Sequence, residues 1–217
     1  MSVNLVFGLG FTSEYIIRII ANRGISDVKE VYLFSVWNVD EFRKRQSEET
    51  INTVMKVLSA AGVKEIRPKY LNIDTTFDDI VLQIAEVVRG ENLEFYLIGG
   101  MRVLNLALYY YAMLAQQVGK KVKILSFTED MEKRYELPAK IPRKIGENHV
   151  EILRLMSDEK DWEIENISKQ LGKSLSTISK QISDLEEENY IECKLKKPKI
   201  CRITNLGKII VELANSS

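Results

Sequence analysis

The sequence predicts an α/β domain built on a parallel sheet, followed by a smaller unit of helices and a two-stranded wing. Two patterns predict this. Residues 1–127 alternate strand-like and helix-like segments five times, as a parallel sheet with helices on both faces requires. From residue 147 the rhythm becomes three short helical stretches, then two β runs around Lys196-Lys197-Pro198-Lys199, which is the pattern of a winged helix-turn-helix. The expected divisions are 1–128 for the α/β domain, 129–146 for a connector with a short hairpin, and 147–217 for the winged unit. A chain of 217 residues can bury two such cores.

The first strand, residues 4–8, ends in Gly8-Leu9-Gly10-Phe11-Thr12, and a helix follows from 13 to 22. Residues 30–36 are dense in β-formers and form a buried strand. A helix over 40–61 carries Ile51, Val54, Met55 and Leu58 on one stripe, and Gly62 closes it. Residues 65–73 give a third strand and 76–88 a helix capped by Thr75 or Thr76. The strand 93–98 then runs into Gly99-Gly100-Met101-Arg102-Val103-Leu104-Asn105 and a long helix. Residues 121–127 form a further strand. From Leu106 to Ala115 every residue is apolar or Tyr, so this helix is expected to be covered on two sides. The second cover is either a partner subunit, favouring a homodimer, or residues 128–146 of the same chain.

The two glycine loops lie at the carboxyl ends of strands, where parallel sheets bind ligands. Glycines bring backbone N–H groups close to a ligand, and a helix N-terminus favours anions. Arg102 adds a guanidinium fork suited to phosphate, and Asn105 both donates and accepts. Trp37 and Asn38, at the end of the second strand, are placed to stack on and hydrogen-bond a base. Gly8-Leu9-Gly10 only begins a dinucleotide fingerprint. Ser13 stands at the third glycine position, and Phe34-Ser35-Val36-Trp37 lacks the acidic ribose ligand, so nicotinamide is disfavoured.

In the winged unit, Ser174 is the expected N-cap of the third helix, over 175–189, with Ile178, Ile182 and Leu185 inward. Ser176, Thr177, Lys180 and Gln181 then face outward for base edges in DNA. Lys196, Lys197 and Lys199 on the wing suit backbone phosphates. Against this, residues 147–217 hold 11 Lys and Arg against 13 Asp and Glu, a net of −2, so any positive field is local to the wing. Alternation along 191–195 and 201–203 places Cys193 opposite Cys201. They are read as two small buried thiols that lie within disulfide range.

Composition excludes several classes. With 31 basic and 31 acidic residues the formal charge is +0, so global basicity does not announce nucleic acid. No apolar run approaches the roughly 18 residues of a membrane span, so no membrane association is expected. The start has no signal-peptide pattern, and two cysteines without an export signal point to the cytoplasm. One histidine and two cysteines do not make a zinc site without carboxylates, so neither a metal nor a resident cofactor is expected.

The glycine loop after the first strand, the 99–105 segment after the fourth and the winged unit behind them resemble the CRISPR-associated Rossmann-fold (CARF) transcriptional regulators of archaea. The resemblance covers essentially the whole chain, and its most specific part is residues 99–105. It departs at Ile98, where the family often carries a hydroxyl. The resemblance implies a Rossmann-like CARF domain that dimerises and binds a cyclic oligoadenylate, most simply cyclic tetra-adenylate, across the two-fold axis. It assigns ligand contacts to Gly8, Gly10, Phe11 and Thr12, and to Gly99, Gly100, Met101, Arg102 and Asn105. It also implies palindromic double-stranded DNA as partner and CRISPR genes as targets. The alternatives are a ring nuclease degrading cyclic tetra-adenylate, for which no general base is visible, and a winged-helix regulator sensing another nucleotide.

Overall fold

The computed structural model describes residues 2–10, 12–37, 40–141, 143–158, 160–194 and 198–215. The chain divides into two compact units, Met1–Ile141 and Pro142–Ser217.

In the first unit, β1 (Val3–Gly8), α1 (Glu14–Arg23), β2 (Val28–Val36), α2 (Glu41–Ala60), β3 (Glu65–Leu71), α3 (Phe77–Ala85), β4 (Asn92–Leu97), α4 (Arg102–Gln117) and β5 (Lys121–Phe127) alternate as the sequence predicts. The sheet order is β3-β2-β1-β4-β5-β6, where β6 spans Arg134–Leu137. The first five strands pair in parallel. The order reverses between β1 and β4, which lie side by side in the centre.

Alternation along the strands sends side chains to two cores. Val6, Tyr32, Phe34, Phe95 and Ile124 pack under α3 and α4. Leu5, Phe7, Val31, Leu33, Tyr96 and Leu125 pack under α1 and α2. The helix starts follow their caps: Asp40 accepts from the Arg43 amide at 2.9 Å and Thr76 from that of Asp79 at 3.3 Å.

Part of the expected connector adds to the sheet. Thr128 and Lys133 close a turn (N···O 3.0 Å), and β6 returns antiparallel along β5. Leu137 packs against the core and Ala139 is buried in it, so the chain stays with the first unit as far as Ile141. This segment covers one flank of α4, where the Tyr109 hydroxyl donates to the Pro138 carbonyl at 3.0 Å. Another flank of α4 is only partly covered, with the Tyr110 ring 5.8 Å from that of Phe77. Leu106, Tyr110 and Leu114, spaced four apart, are 59%, 38% and 37% exposed.

The second unit contains α5 (Glu147–Leu155), β7 (Trp162–Glu163), α6 (Ile164–Leu171), α7 (Leu175–Glu187), β8 (Ile191–Lys194), β9 (Ile200–Ile203) and α8 (Asn205–Asn215). Residues 161–163, expected as an extended link, contribute β7, which pairs with β9. Ile152, Leu153, Ile167, Ile178, Ile182 and Leu185 form the floor of the core. The β8–β9 register sets Ile191 on Ile203 and Cys193 on Cys201. The cysteines are not the two thiols expected: they are joined in a disulfide, with Cα atoms 4.0 Å apart. The fold is thus a Rossmann-like domain followed by a winged helix-turn-helix. Among the described residues no helix is long and apolar enough to cross a membrane.

Candidate functional site

The two glycine loops meet at the switch point of the sheet. A Cβ on Gly10 would stand 2.7 Å from the Gly100 amide nitrogen, so the two backbones pass in direct contact. Gly100 has φ of +84°, and a Cβ there would collide with the Leu9 carbonyl oxygen. Only glycine satisfies the left-handed conformation and the approach together. The Leu9 amide bonds the Phe34 carbonyl at 2.7 Å, which ties the first loop to β2. Asn105 Nδ2 donates to the Gly99 carbonyl at 2.9 Å and ties the second loop to α4. Its Oδ1 is enclosed beside Gly8 without a partner.

A pocket of about 300 Å3 opens over this junction, lined by Gly8, Gly10, Thr12, Tyr15, Ile16, Ile98, Gly99 and Gly100. The helices that start here, α1 and α4, have no side-chain cap, whereas α2 and α3 in the same unit do. Their first-turn N–H groups lack intrahelical acceptors, and the helix dipoles favour an anion. Arg102 is the exposed first residue of α4. Beside the pocket, and sharing Thr12 with it, lies a polar recess of about 400 Å3 that also involves Ser13, Gln46, Glu49 and Thr53. Among the described residues no group of three or more His, Cys, Asp or Glu is placed to hold a metal ion.

Five expected ligand residues, Gly8, Gly10, Thr12, Gly99 and Gly100, therefore surround one pocket. Met101 instead packs against the α3–α4 core. Trp37 is not part of the lining. Its ring packs edge-on against Tyr70 at 5.3 Å, with Lys44 Nζ 4.8 Å from its centroid. Phe11 and Asn38 lie outside the described residues. Sequence reasoning missed Tyr15, three residues after Thr12 and thus one helical turn away. It also missed Gln46, Glu49 and Thr53, whose spacing of three and four marks a polar stripe on α2.

In the winged unit, Ser174 caps α7, accepting from the Thr177 amide at 3.2 Å. Ser176, Thr177 and Lys180 are exposed on its first turns. Gln181 is only partly exposed, with Oε1 enclosed and unpartnered. Lys199 Nζ bonds Glu186 at 2.6 Å, fastening the wing to the acidic end of α7. Lys196 and Lys197 lie outside the described residues.

The Csa3 CRISPR-associated Rossmann-like domain matches residues 3–138. The chain belongs to the Csa3 family. Behind the Csa3 domain, the winged helix-turn-helix DNA-binding family matches residues 146–192. No curated protein matches the chain. Among solved structures, Streptococcus pneumoniae FabT in complex with DNA is 21% identical, with a TM-score of 0.32, over 34% of this chain and 54% of its own. A MarR/EmrR family transcriptional regulator from Acinetobacter is 28% identical, with a TM-score of 0.30, over 33% of this chain and 54% of its own. Can2 from Sulfobacillus thermosulfidooxidans, solved with cyclic tetra-adenylate, is 13% identical, with a TM-score of 0.44, over 96% of this chain and 63% of its own. The chain thus spans about half the length of the first two structures.

Proposed function

We propose that this chain is a DNA-binding transcriptional regulator of CRISPR genes that senses a cyclic oligoadenylate, with cyclic tetra-adenylate the preferred ring. The observation that carries the reading is the contact of Gly10 with Gly100 at the switch point of a Csa3 domain, in a chain that also holds a winged helix-turn-helix. The glycine loops and the uncapped starts of α1 and α4 offer N–H groups to phosphates, and Arg102 supplies charge. In a homodimer the same surface occurs twice about a two-fold axis. Two Arg102 side chains and four glycine loops then face a ring that has two-fold symmetry of its own. The partly exposed row of Leu106, Tyr110 and Leu114 on α4 is the partner face.

The same symmetry presents two α7 helices, with Ser176, Thr177 and Lys180, to the half-sites of a palindromic operator. If ligand changes DNA affinity by some factor, DNA changes ligand affinity by the same factor.

Calorimetric titration of the full chain with cyclic tetra-, cyclic hexa- and linear tetra-adenylate tests the reading. Cyclic tetra-adenylate is expected to bind most tightly and to be recovered intact. Arg102→Ala is expected to weaken it at least tenfold, about 1.4 kcal/mol. Absence of binding by every adenylate, or an unchanged affinity in Arg102→Ala, would sink the assignment. Recovery of linear product would transfer the site to a ring nuclease.

A further inference from the structure

The sheet is covered unevenly. On the face shared by α1 and α2, those helices lie over the β3–β4 side, and within this domain no described helix covers β5 and β6 there. A crossover helix after β5 would close that face, but the chain returns as the antiparallel strand β6 instead. The result is a cavity of about 260 Å3 between α1, β4, β5 and β6, away from the glycine loops.

Its floor is apolar. Tyr96 and Phe127 stack with ring planes 16° apart and centroids 6.3 Å apart, beside the buried Leu125 and Ile19. Met131 closes one wall from a turn residue at φ +62°, a conformation rare for a residue with a side chain.

Its rim is cationic, and the arginines differ. Arg23 is committed: Nε bonds Glu94 at 2.8 Å and Nη1 bonds Asp27 at 2.9 Å. Arg18 and Arg134 form no hydrogen-bonded ion pair with a described residue. Asp130 lies within electrostatic reach of Arg18, but its Oδ1 is already bonded to the Thr128 hydroxyl and the Glu132 amide. Two guanidinium groups without a hydrogen-bonded carboxylate among the described residues thus border an aromatic floor.

We propose that this cavity is a second ligand site, for a small organic anion with one or two flat rings. The ring body displaces water from the Tyr96–Phe127 floor, and the carboxylate or phosphate meets Arg18 and Arg134, with Asn22 as a further polar neighbour. The volume falls just below the range of pockets for drug-sized molecules, which limits the body to one or two rings. Guanidinium forks match both kinds of oxyanion. The site is independent of the adenylate reading.

The test is isothermal titration of the full chain with three probes: 1-naphthoate, phenyl phosphate and the uncharged 1-naphthalenemethanol. At least one acid is expected to bind saturably at millimolar concentration or below, and the acid that wins identifies the preferred head group. Arg134→Ala and Arg18→Ala, both at exposed positions, are each expected to weaken it at least tenfold, while the alcohol binds at least tenfold more weakly than naphthoate. Arg102→Ala is expected to leave acid binding unchanged, and Arg134→Ala to leave cyclic tetra-adenylate binding unchanged, so the two sites succeed or fail separately. The proposal is overturned if neither acid saturates, if both arginine variants bind like wild type, if the alcohol matches the acids, or if Arg102→Ala abolishes acid binding.

Discussion

At the scale of single residues, Gly100 is the most constrained position in the candidate site. Its positive φ and the Leu9 carbonyl against its Cα act together. Gly100→Ala is expected to destabilise the first domain by about 2–4 kcal/mol, from left-handed strain plus steric overlap, and to remove adenylate binding. Gly24 gives the comparison, since its φ is +76° but a Cβ there would meet open space. Gly24→Ala carries backbone strain alone, about 1–3 kcal/mol because a ψ of 168° at positive φ is essentially restricted to glycine, with adenylate binding retained. Urea unfolding of both variants, followed by ligand titration, measures the difference. The need for glycine at 10 and 100 was legible in the sequence, because a strand that turns sharply into a helix leaves little room for a Cβ. The mutual contact of the loops was not, because it depends on β1 and β4 being neighbours, which spacing along the chain does not encode. Trp37 shows what position along the chain leaves out: a large aromatic at a strand end suggests stacking on a ligand, and only the fold reveals that Tyr70 and Lys44 also pack against its ring.

At the scale of elements, α3 shows how a helix start responds to pH. The hydroxyls of Thr75 and Thr76 bond the Asp79 carboxylate at 2.6 and 2.8 Å and hold its pKa below the usual carboxylate range. A depressed pKa adds stability above the unfolded carboxylate value of about 4, and that stability is lost as pH falls through the folded value. Asp79→Ala is therefore expected to lower Tm at neutral pH and to flatten its fall between about pH 5 and 2, as thermal melts across that range will report. In the wing, the disulfide closes a loop with a sequence separation of 8. Cys193→Ser is expected to cost the winged unit about 2–3 kcal/mol, and dithiothreitol to act alike on wild type but not on the variant, as calorimetry will show. The sequence placed these cysteines opposite each other from strand alternation alone, and it favoured thiols because bonding follows the redox setting rather than the register. It expected a short hairpin in the connector and an extended link at 161–163, but not that β6 joins β5 and β7 joins β9, because such short strands are specified less by their own residues than by the open edge they join.

At the scale of the whole molecule, the α4 helix decides the association state proposed here. Leu106 and Leu114 lie in the cover the sequence demanded and the first domain only partly supplies. Wild type is expected to elute as a dimer in light-scattering chromatography. Leu106→Glu combined with Leu114→Glu is expected to shift it to monomer and to weaken cyclic tetra-adenylate at least tenfold, because half of a two-fold site is then missing. A dimer that survives both charges would move the interface elsewhere. The division into two cores was legible because hydrophobic rhythm changes after residue 146. The boundary itself fell earlier, since Leu137 and Ala139 look like connector residues until the Tyr109 flank of α4 is there to receive them.

The contact between the two glycine loops also bears on which substitutions this pocket can accept. Each loop occupies the space a side chain on the other would need, so a larger residue at position 10 or position 100 finds no room unless both strands separate. A single larger residue at either position is therefore expected to strain the first domain unless both loops shift together. Tyr15 and Arg102 carry no such interlock. Substitutions at the rim of the pocket are therefore expected to reshape it at lower cost than any change to its backbone floor.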